Sequence, residues 1–580
     1  MTTMSFEPTA EQTAIIEADL VSMAIVACPG SGKTATAVRR LAELRKRLND
    51  TKGRAALLSF SNVAVETFRA EYQKLQGTTV TDSKVAIQTV DSFITNYILK
   101  PHCARVMKSR RMPFLCLGDE PFLSAYKIGE GKETTGVADI ILNRVSGETR
   151  FYRKVGKSDP IALTPAMSKL ALKKLNEFAA TGGYTHTHGR AWARWLLARE
   201  PHIAKALALR FPQILVDEAQ DVGTFEGEIL DLLIKAGSDV SLIGDFHQSI
   251  YSFNFATGDY LRAFSERDEV VKFELTQNRR SLPAIVNVAN ALARTKTTPH
   301  RTTSKLHSGA FYWRYEEDKA RELMSTWSSA LQAKGYALAD AAVLCRSSDM
   351  LSELTSASVN LGTSAVKHLA SAALERDRNG DIAKTFHHCV QAAIHLVDVP
   401  NTFAQQVKSP ERGSDIAQLR RLLWDLIRDN ASGIPPSTLE ARGEWLTKLR
   451  TNLASWLDIV EEKTKFTRAA TWTARVTARR LPETGPLLGG DLGQNDWNGL
   501  RLGTVHSAKG EGIPAVMYLT SKKHLTALLK GTSKEDGRIG FVAATRARDL
   551  LVVAIPLDTK PSVIKKLHNL GFMDWDRPGR

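Results

Sequence analysis

The segment Ala27-Cys-Pro-Gly-Ser-Gly-Lys-Thr34 constrains the fold more than any other feature of the chain. It follows the apolar run Met23–Val26 and precedes a helical pattern over 35–48. A strand, a glycine-containing loop ending in Lys-Thr and a helix, in this order, make up a P-loop. The spacing therefore predicts an α/β fold with a phosphate site. Its residues are Ala27 at the first glycine position, Cys28, Pro29, Gly30, Ser31, Gly32, Lys33 and Thr34.

The residue types in this loop match that chemistry. Gly30 and Gly32 let backbone N–H groups surround a phosphate, and the helix that follows adds its N-terminal dipole. Lys33 offsets phosphate charge, and the Thr34 hydroxyl is a ligand for Mg²⁺. A glycine turn without a ligand is the alternative, which the flanking strand and helix disfavour.

An acidic segment supplies the second half of such a site. Asp217 and Glu218 follow the apolar strand pattern of 211–216, and Asp221 stands three residues further on. Asp217 can hold Mg²⁺ through water, and Glu218 is placed to act as general base on the attacking water. Taken alone, the same cluster would equally suit a helix N-cap.

Other short apolar runs alternate with helical patterns, which favours parallel sheets buried on both faces. The runs are Ala55–Leu58, Ile214–Val216, Val240–Ile243, Ala341–Leu344, Val516–Leu519 and Leu550–Ala554. Two long stretches between them have a mainly helical pattern. We therefore predict two α/β lobes, each with a mainly helical insertion. The first lobe covers 1–100 and 200–270 with insertion 101–199, and the second covers 271–360 and 495–580 with insertion 361–494.

The net charge of +16 predicts a polyanionic partner, which by charge alone could be DNA, RNA or an anionic membrane. Residues 100–174 hold 15 Lys and Arg against 7 Asp and Glu, so this stretch is a candidate for gripping duplex; a solvated surface is the alternative. A second basic pattern, Arg468, Trp472, Arg475 and Arg479, has the spacing of one helix face. No membrane span or signal peptide is visible, so we expect a cytoplasmic protein without a membrane partner.

The order of motifs resembles that of the superfamily 1A helicases, the UvrD/PcrA/Rep group. The resemblance is carried by Pro8–Gln12, Leu58–Asn62, Gln88–Phe93, Asp217–Asp221, Gly244–Tyr251, Leu275–Ser281, Ala342–Arg346, Thr504–Glu511 and Phe541–Ala547. It covers about 1–100, 205–350 and 500–556. It implies two RecA-like lobes that bind ATP and Mg²⁺ between them and act on single-stranded DNA or a DNA junction.

The resemblance also implies roles for individual residues. Gln12 would read the adenine, Gln248 would sense the γ-phosphate, and Arg280 and Arg546 would act as arginine fingers. Strand contacts would come from Phe60, Asn62, Thr89, Tyr251, Phe253, Thr504 and His506. Aromatic side chains stack on any base, which suits a motor that does not read sequence. For Phe60 and Phe253, plain core packing is the alternative.

Several positions depart from the family pattern. Arg279 stands where a tyrosine usually stacks on adenine, and it could stack by a cation–π contact. Asp91 replaces a histidine, and Phe253-Asn254 replaces Trp-Arg. Glu511 lies one residue earlier than the usual ribose-binding glutamate, and the resemblance implies a nucleotide contact for it.

These features leave more than one function open. The first hypothesis is an autonomous ATP-dependent DNA helicase with the family's 3′→5′ polarity, acting in repair, replication or phage defence. The second is an ATPase subunit that regulates a partner nuclease without unwinding, because the Lys509-Gly-Glu511 motif is similar to that of helicase-like partners of OLD-family nucleases in Gabija-type antiviral defence. An RNA-directed motor is the third. A kinase or GTPase would leave Arg280 and Arg546 unexplained.

Overall fold

The computed structural model divides into two compact units, 1–314 with 508–580, and 315–507. It describes residues 7–77, 82–116, 123, 125–129, 134–155, 158–250, 255, 258–347, 350–351, 354, 365–379, 382–400, 402–408, 410–429, 431–478, 481, 487, 496–497 and 500–576. Among these residues, no helix has both the length and the apolar character needed to cross a membrane.

The first unit is built on a six-stranded sheet in which every recorded pairing is parallel. Its spatial order is β13-β1-β12-β11-β2-β3. The strands are β1 Met23–Ala27, β2 Ala55–Ser59, β3 Val85–Thr89, β11 Gln213–Val216, β12 Asp239–Gly244 and β13 Val271–Leu275. Central strands such as β2 and β11 are buried at every position, as a parallel sheet covered on both faces requires. The α/β prediction is confirmed, and the apolar runs named above lie within the strands.

Helices lie before, between and after these strands in the first unit, and several of them pack on this sheet. They are α1 Ala10–Glu17, α2 Lys33–Arg47, α3 Asn62–Gln76, α4 Val90–Ile94, α5 Lys100–Val106, α6 Pro165–Ala180, α7 His186–Arg199, α8 Pro201–Arg210, α9 Thr224–Ala236, α10 Asp259–Ser265 and α11 Pro283–Ala293. Local side chains set where several of them begin. Thr9 forms a capping box with Gln12 at α1, and Ser61 and Thr89 cap α3 and α4.

The insertion over 101–199 differs from the prediction of a mainly helical segment. It contains a three-stranded antiparallel sheet of β7 Ile140–Val145, β8 Glu148–Val155 and β9 Ser158–Ala162, packed with α6 and α7. Short two-residue pairings complete it, β4 Phe114–Leu115 with β10 Gly183–Tyr184 and β5 Lys127–Ile128 with β6 Thr135–Gly136. Charged residues such as Arg150 and Arg153 lie on both faces of β8, and they hide the apolar alternation in the sequence.

A second parallel arrangement in the first unit runs β20-β21-β16-β22. Its strands are β16 Gly309–Tyr315, β20 Ile513–Leu519, β21 Ala547–Pro556 and β22 Met573–Asp574. The pair β14 Gln277–Asn278 and β15 Thr298–Pro299 precedes it. Three helices follow in chain order, α18 Lys522–Leu528, α19 Glu535–Ala544 and α20 Pro561–Asn569. Arg546 directly precedes β21, and Arg280 lies two residues after β14.

The second unit holds a small strand group and a helical body. β17 Ala341–Cys345 pairs in parallel with β19 Leu500–Thr504, and β18 Asp496–Trp497 pairs antiparallel with β19. Its helices are α12 Ala320–Ala333, α13 Ala365–Leu374, α14 Ile382–Leu396, α15 Phe403–Gln406, α16 Asp415–Arg428 and α17 Leu446–Lys463. The described part of 361–494 contains these helices from α13 onward, and it packs around one apolar core that includes Trp445 and Trp456.

The prediction that Arg468, Trp472, Arg475 and Arg479 form one face of a helix is wrong. Among the described residues of 468–479 none is α-helical, and Thr473–Arg475 forms a short 3-10 turn; Arg479 lies outside the described residues. Arg468 pairs with Glu461 at 2.6 Å and with Asp458, so much of its charge is already compensated.

Candidate functional site

The P-loop lies between β1 and the 15-residue helix α2, as predicted. Gly30 and Gly32 have φ values of 72° and 83°, in the left-handed region that residues with a side chain rarely adopt. The Ser31 hydroxyl donates to Cys28 O at 2.9 Å and stiffens the loop. Lys33 and Thr34 occupy the first turn of α2, where both are half-buried. The loop therefore has the backbone shape that surrounds a phosphate at a helix N-terminus.

Two other predicted residues contact this loop directly. Gln12 donates its Nε2 proton to Ser31 O at 2.9 Å, and its Oε1 accepts from Thr9 N at 3.0 Å. The backbone N–H of Arg279 donates to Gly30 O at 2.9 Å. The Arg279 guanidinium donates to Gln12 Oε1 at 3.3 Å and to Glu7 O at 2.7 Å. Gln12 and Arg279 are thus joined at one side of the P-loop, where the resemblance implies a base.

The acidic pair lies at the end of β11. Asp217 donates its backbone N–H to Leu58 O at 2.9 Å and is 4% exposed. Burial, together with the charge of Glu218, raises the pKa of Asp217 to about 7. Glu218 has a φ of 54°, which is strained for a residue with a side chain. Such a backbone conformation persists only where the surrounding structure enforces it. Here it occurs at the end of β11, where two carboxylates are adjacent in sequence.

Lys509 contacts this acidic segment and was absent from the site predicted from sequence. Its Nζ forms an ion pair with Asp221 and lies 3.8 Å from Glu218 Oε2. Burial acts to raise the pKa of Glu218, but Lys509 and Lys33 outweigh it, so that pKa is lowered. For Asp221 burial wins, and its pKa is raised to about 7. Lys509 therefore keeps Glu218 ionised, as a general base requires.

A chain of polar side chains connects the acidic segment to Gln248. Gln220 donates to Glu218, and its Oε1 accepts from Asp245 N at 3.0 Å. Asp245 Oδ2 accepts from Gln248 Nε2 at 2.7 Å. Gln248 Oε1 then accepts from Arg546 Nη2 at 2.9 Å. The sequence indicated Gln248 and Arg546, whereas the intermediate Gln220 and Asp245 carried no separate signal beyond their place in quoted motifs.

We use the word crevice for the space beside the P-loop, the acidic segment and Gln248. Both predicted arginine fingers lie there, Arg546 at Gln248 and Arg280 beside Gly30. Arg546 is 1% exposed, and it also donates to Val542 O at 3.0 Å. Burial and the nearby Arg280 charge lower the pKa of Arg546 to about 9. Arg280 donates to Thr545 O at 3.3 Å and to Gly510 O at 3.1 Å, and burial lowers its pKa to about 10. Glu511 meets Arg546 through its backbone O, at 3.2 Å.

The oxygen-rich donor set suits Mg²⁺ and a nucleotide phosphate. Asp217 Oδ1 and Asp221 Oδ1 are buried, and neither has a hydrogen-bond partner among the described residues. A buried carboxylate oxygen without a partner is costly, and a hydrated cation removes that cost. Thr34 and Asp217 are the residues that would hold Mg²⁺, and Lys33 with the two arginines would meet phosphate charge.

The predicted strand-contact residues are divided between the two units, and two of them lie outside the described residues. Phe60 is half-buried and packs against the apolar core, and the Thr89 hydroxyl accepts from Ser92 N at 3.1 Å as the cap of α4. Asn62 begins α3. Thr504 and His506 belong to the second unit, where the Thr504 hydroxyl accepts from Ser507 N at 3.3 Å. Tyr251 and Phe253 lie outside the described residues.

Comparison with known proteins agrees with the motif order. A model of the UvrD/REP helicase N-terminal domain matches residues 9–120 and 167–268. DNA helicase II of Salmonella typhimurium and that of Escherichia coli are each 26% identical over 355 residues, covering 58% of this chain and 48% of the relative. The ATP-dependent DNA helicase srs2 of Schizosaccharomyces pombe is 25% identical over 385 residues, covering 58% of this chain and 41% of the relative.

The chain thus spans about half the length of these curated relatives. The matched residues include the P-loop, the acidic pair at 217–218 and Gln248. The arginines that complete the crevice lie beyond the matched range, and the geometry above brings them to it. The family match, the similar relatives and the order of the motifs together support a UvrD-like helicase of superfamily 1A.

Proposed function

We propose that this chain is an ATP-dependent DNA helicase that translocates 3′→5′ along single-stranded DNA. The observation that carries the proposal is the hydrogen bond between Arg546 and Gln248 at 2.9 Å, beside the P-loop and the acidic pair. It brings a guanidinium from the end of α19 to the motif that follows β12. Residues 298 positions apart in the chain thereby meet at one crevice.

The chain's own residues supply the parts that phosphoryl transfer to water needs. Lys33 and the P-loop amides bind phosphate charge, and ionised Glu218 accepts a proton from the attacking water. Arg280 and Arg546 stabilise charge that develops in the transition state, and arginine fingers contribute ~10³–10⁵ in rate in related NTPases. Mg²⁺, when bound at Thr34 and Asp217, would neutralise phosphate charge.

Motion would follow from the same contacts. Arg546 directly precedes β21 of the second parallel arrangement, and Arg280 follows β14 and donates to Thr545 O. Lys33 and Glu218 instead follow strands β1 and β11 of the six-stranded sheet. A bound nucleotide phosphate attracts Lys33 and the two arginines and so favours one relative position of the elements that carry them. Release of the phosphate after hydrolysis favours another position. A ligand that binds one of two states more tightly shifts the population toward it, which is how hydrolysis would drive stepping.

The proposal is tested by ATPase turnover of the wild type and of Lys33→Ala, each with and without single-stranded DNA. We expect turnover stimulated by the strand in the wild type and its loss in Lys33→Ala. Absence of strand-stimulated turnover in the wild type would refute the motor. Single-stranded RNA in place of DNA tests the substrate, since a preference for RNA would overturn the DNA assignment.

Strand displacement on duplexes with a 3′ or a 5′ tail tests unwinding and direction. We expect displacement with the 3′-tailed substrate alone. Strand-stimulated turnover without displacement on either substrate would instead support the regulatory alternative, an ATPase subunit that controls a partner nuclease.

A further inference from the structure

Arg190, near the start of α7, holds two carboxylates from two other elements. Its Nε and Nη2 donate to Asp91 Oδ1 and Oδ2 at 2.8 and 2.9 Å, and its Nη1 lies 2.8 Å from Glu226 Oε1. The Arg190 side chain is 17% exposed and the Glu226 side chain is 6% exposed. His186 Nδ1 completes the cluster at 3.1 Å from Asp91 Oδ2. All three guanidinium nitrogens are therefore engaged, with a bidentate pair on Asp91 and a single contact on Glu226.

The two carboxylates come from functionally distinct segments. Asp91 lies two residues after Thr89, in the segment 88–93 that resembles a strand-binding motif. Glu226 lies in the first turn of α9, five residues after Asp221 of the acidic segment. Arg190 itself belongs to the 101–199 insertion. One side chain thus connects the candidate strand-contact segment, the insertion and the helix that leaves the nucleotide site.

Such a cluster is a poor choice for stability alone. A buried ion pair pays a desolvation cost that well-packed apolar side chains avoid, so apolar replacements are often neutral or stabilising. Burial raises the pKa of Glu226, while hydrogen bonds from His186 and Arg190 outweigh burial and hold the pKa of Asp91 well below its usual range. What the fork provides that apolar packing does not is orientation, because a bidentate contact fixes both distance and plane.

We propose that Arg190 is a positioning residue that holds segment 88–93 in the geometry that binds single-stranded DNA and links it to α9 behind the acidic pair. This inference rests on the proposed motor function. It concerns a residue outside the nucleotide site, and its partner Asp91 stands where the family pattern has histidine, so the contact belongs to this chain's own sequence.

The same two helices offer a matched control. Arg194 lies one turn further along α7, and its Nε is 2.5 Å from Glu228 Oε2 on α9, two residues after Glu226. Arg144 on β7 contacts the other oxygen of Glu228 at 3.0 Å. Arg194 therefore makes a comparable α7–α9 ion pair with a carboxylate outside segment 88–93. An effect of losing any α7–α9 ion pair should appear when either arginine is replaced. An effect of losing the position of segment 88–93 should appear only when Arg190 is replaced.

The experiment compares Arg190→Met with Arg194→Met. Binding of a labelled single-stranded oligonucleotide is followed by fluorescence anisotropy, and the DNA concentration for half-maximal ATPase stimulation is measured beside it. We expect Arg190→Met to raise the dissociation constant for the oligonucleotide and the DNA concentration for half-maximal stimulation about tenfold or more, because segment 88–93 loses its bidentate contact. Arg194→Met should stay within about twofold. The maximal rate at saturating DNA should fall much less than the affinity.

A conservative pair covers the case in which Arg190→Met does not fold. Lysine keeps the charge but cannot form the bidentate contact, so Arg190→Lys should weaken DNA binding by an intermediate factor while Arg194→Lys has little effect. Equal affinities in the two members of either pair would overturn the inference, and so would a loss of maximal rate at unchanged affinity. If the wild type lacked strand-stimulated ATPase, the motor would fail, while the anisotropy comparison would still decide the role of Arg190.

Discussion

Substituting Gly30 by alanine tests how closely the P-loop and the Arg280 segment depend on each other. A Cβ at Gly30 would lie 2.5 Å from Arg280 Cβ and 2.8 Å from Asn278 Oδ1. Carbon atoms pack at about 3.5–4.0 Å, so one side must retreat by roughly 1 Å. Asn278 cannot yield easily, because its Oδ1 accepts from the backbone N–H groups of Arg280 and Ser281, both at 2.8 Å.

A second glycine separates this contact from backbone strain. Gly77 has a φ of 65°, similar to the 72° of Gly30, but no described atom lies within 4 Å of the position of its Cβ. Alanine in the left-handed region costs roughly 1–2 kcal/mol at either position. Urea unfolding should show that shared loss. A displacement of roughly 1 Å in a catalytic group can lower turnover about 10²-fold, so Gly30→Ala should lose far more kcat than Gly77→Ala.

The assay is DNA-stimulated ATPase at saturating ATP, beside urea unfolding of both variants. Turnover in Gly30→Ala within about twofold of that in Gly77→Ala, at similar free energies of unfolding, would refute the reasoning. It would mean that the close approach of Arg280 to the P-loop has no bearing on catalysis.

Three further outcomes are expected. Arg546→Ala should lower kcat by about 10³-fold or more while nucleotide affinity, read by a fluorescent ATP analogue, changes much less; an equal loss of both would contradict a finger role. His188 is buried and burial lowers its pKa to about 4, so the wild type should lose about 3 kcal/mol of unfolding free energy as pH falls from about 6.5 to 4, on top of other groups. His188→Gln should lack this part of the slope and the exposed control His202→Gln should keep it, in urea unfolding at several pH values. Affinity for a tailed duplex should fall steeply between 50 and 200 mM salt, by about 10³-fold or more if six phosphates are contacted, and a flat response would remove the basic 100–174 region as a duplex grip.

The parts of the fold that could be predicted from sequence are those with a local signal. The P-loop, its strand and its helix are contiguous, and buried parallel strands appear as unbroken apolar runs. Residues 213–216 and 239–244 illustrate this, because each strand extends the predicted run by no more than one residue at either end. Motif order then identified Gln248, Arg280 and Arg546 before any coordinates placed them together.

The antiparallel sheet of the insertion was missed although one signal for it exists. Ser146 and Gly147 have φ values of 50° and 81°, the conformation of a two-residue hairpin turn, and a Ser-Gly pair is typical of turns. Arg150, Arg153 and Lys154 on the following strand obscured its period of two. The ion pair of Lys509 with Asp221 had no local signal at all, since 288 positions separate the two residues.

The crevice also explains how a nucleotide could recruit its arginines without a large penalty. Arg280 meets two backbone carbonyls at 3.3 and 3.1 Å, at the long end of the range for N–H to oxygen bonds. Exchanging these neutral carbonyl acceptors for phosphate oxygens would pair the guanidinium with an anion whose geometry it matches. Arg546 is held more firmly, by Gln248 at 2.9 Å and Val542 at 3.0 Å. Arg280 should therefore respond first to phosphate charge, and Arg546 should follow only when Gln248 is drawn to the same phosphate.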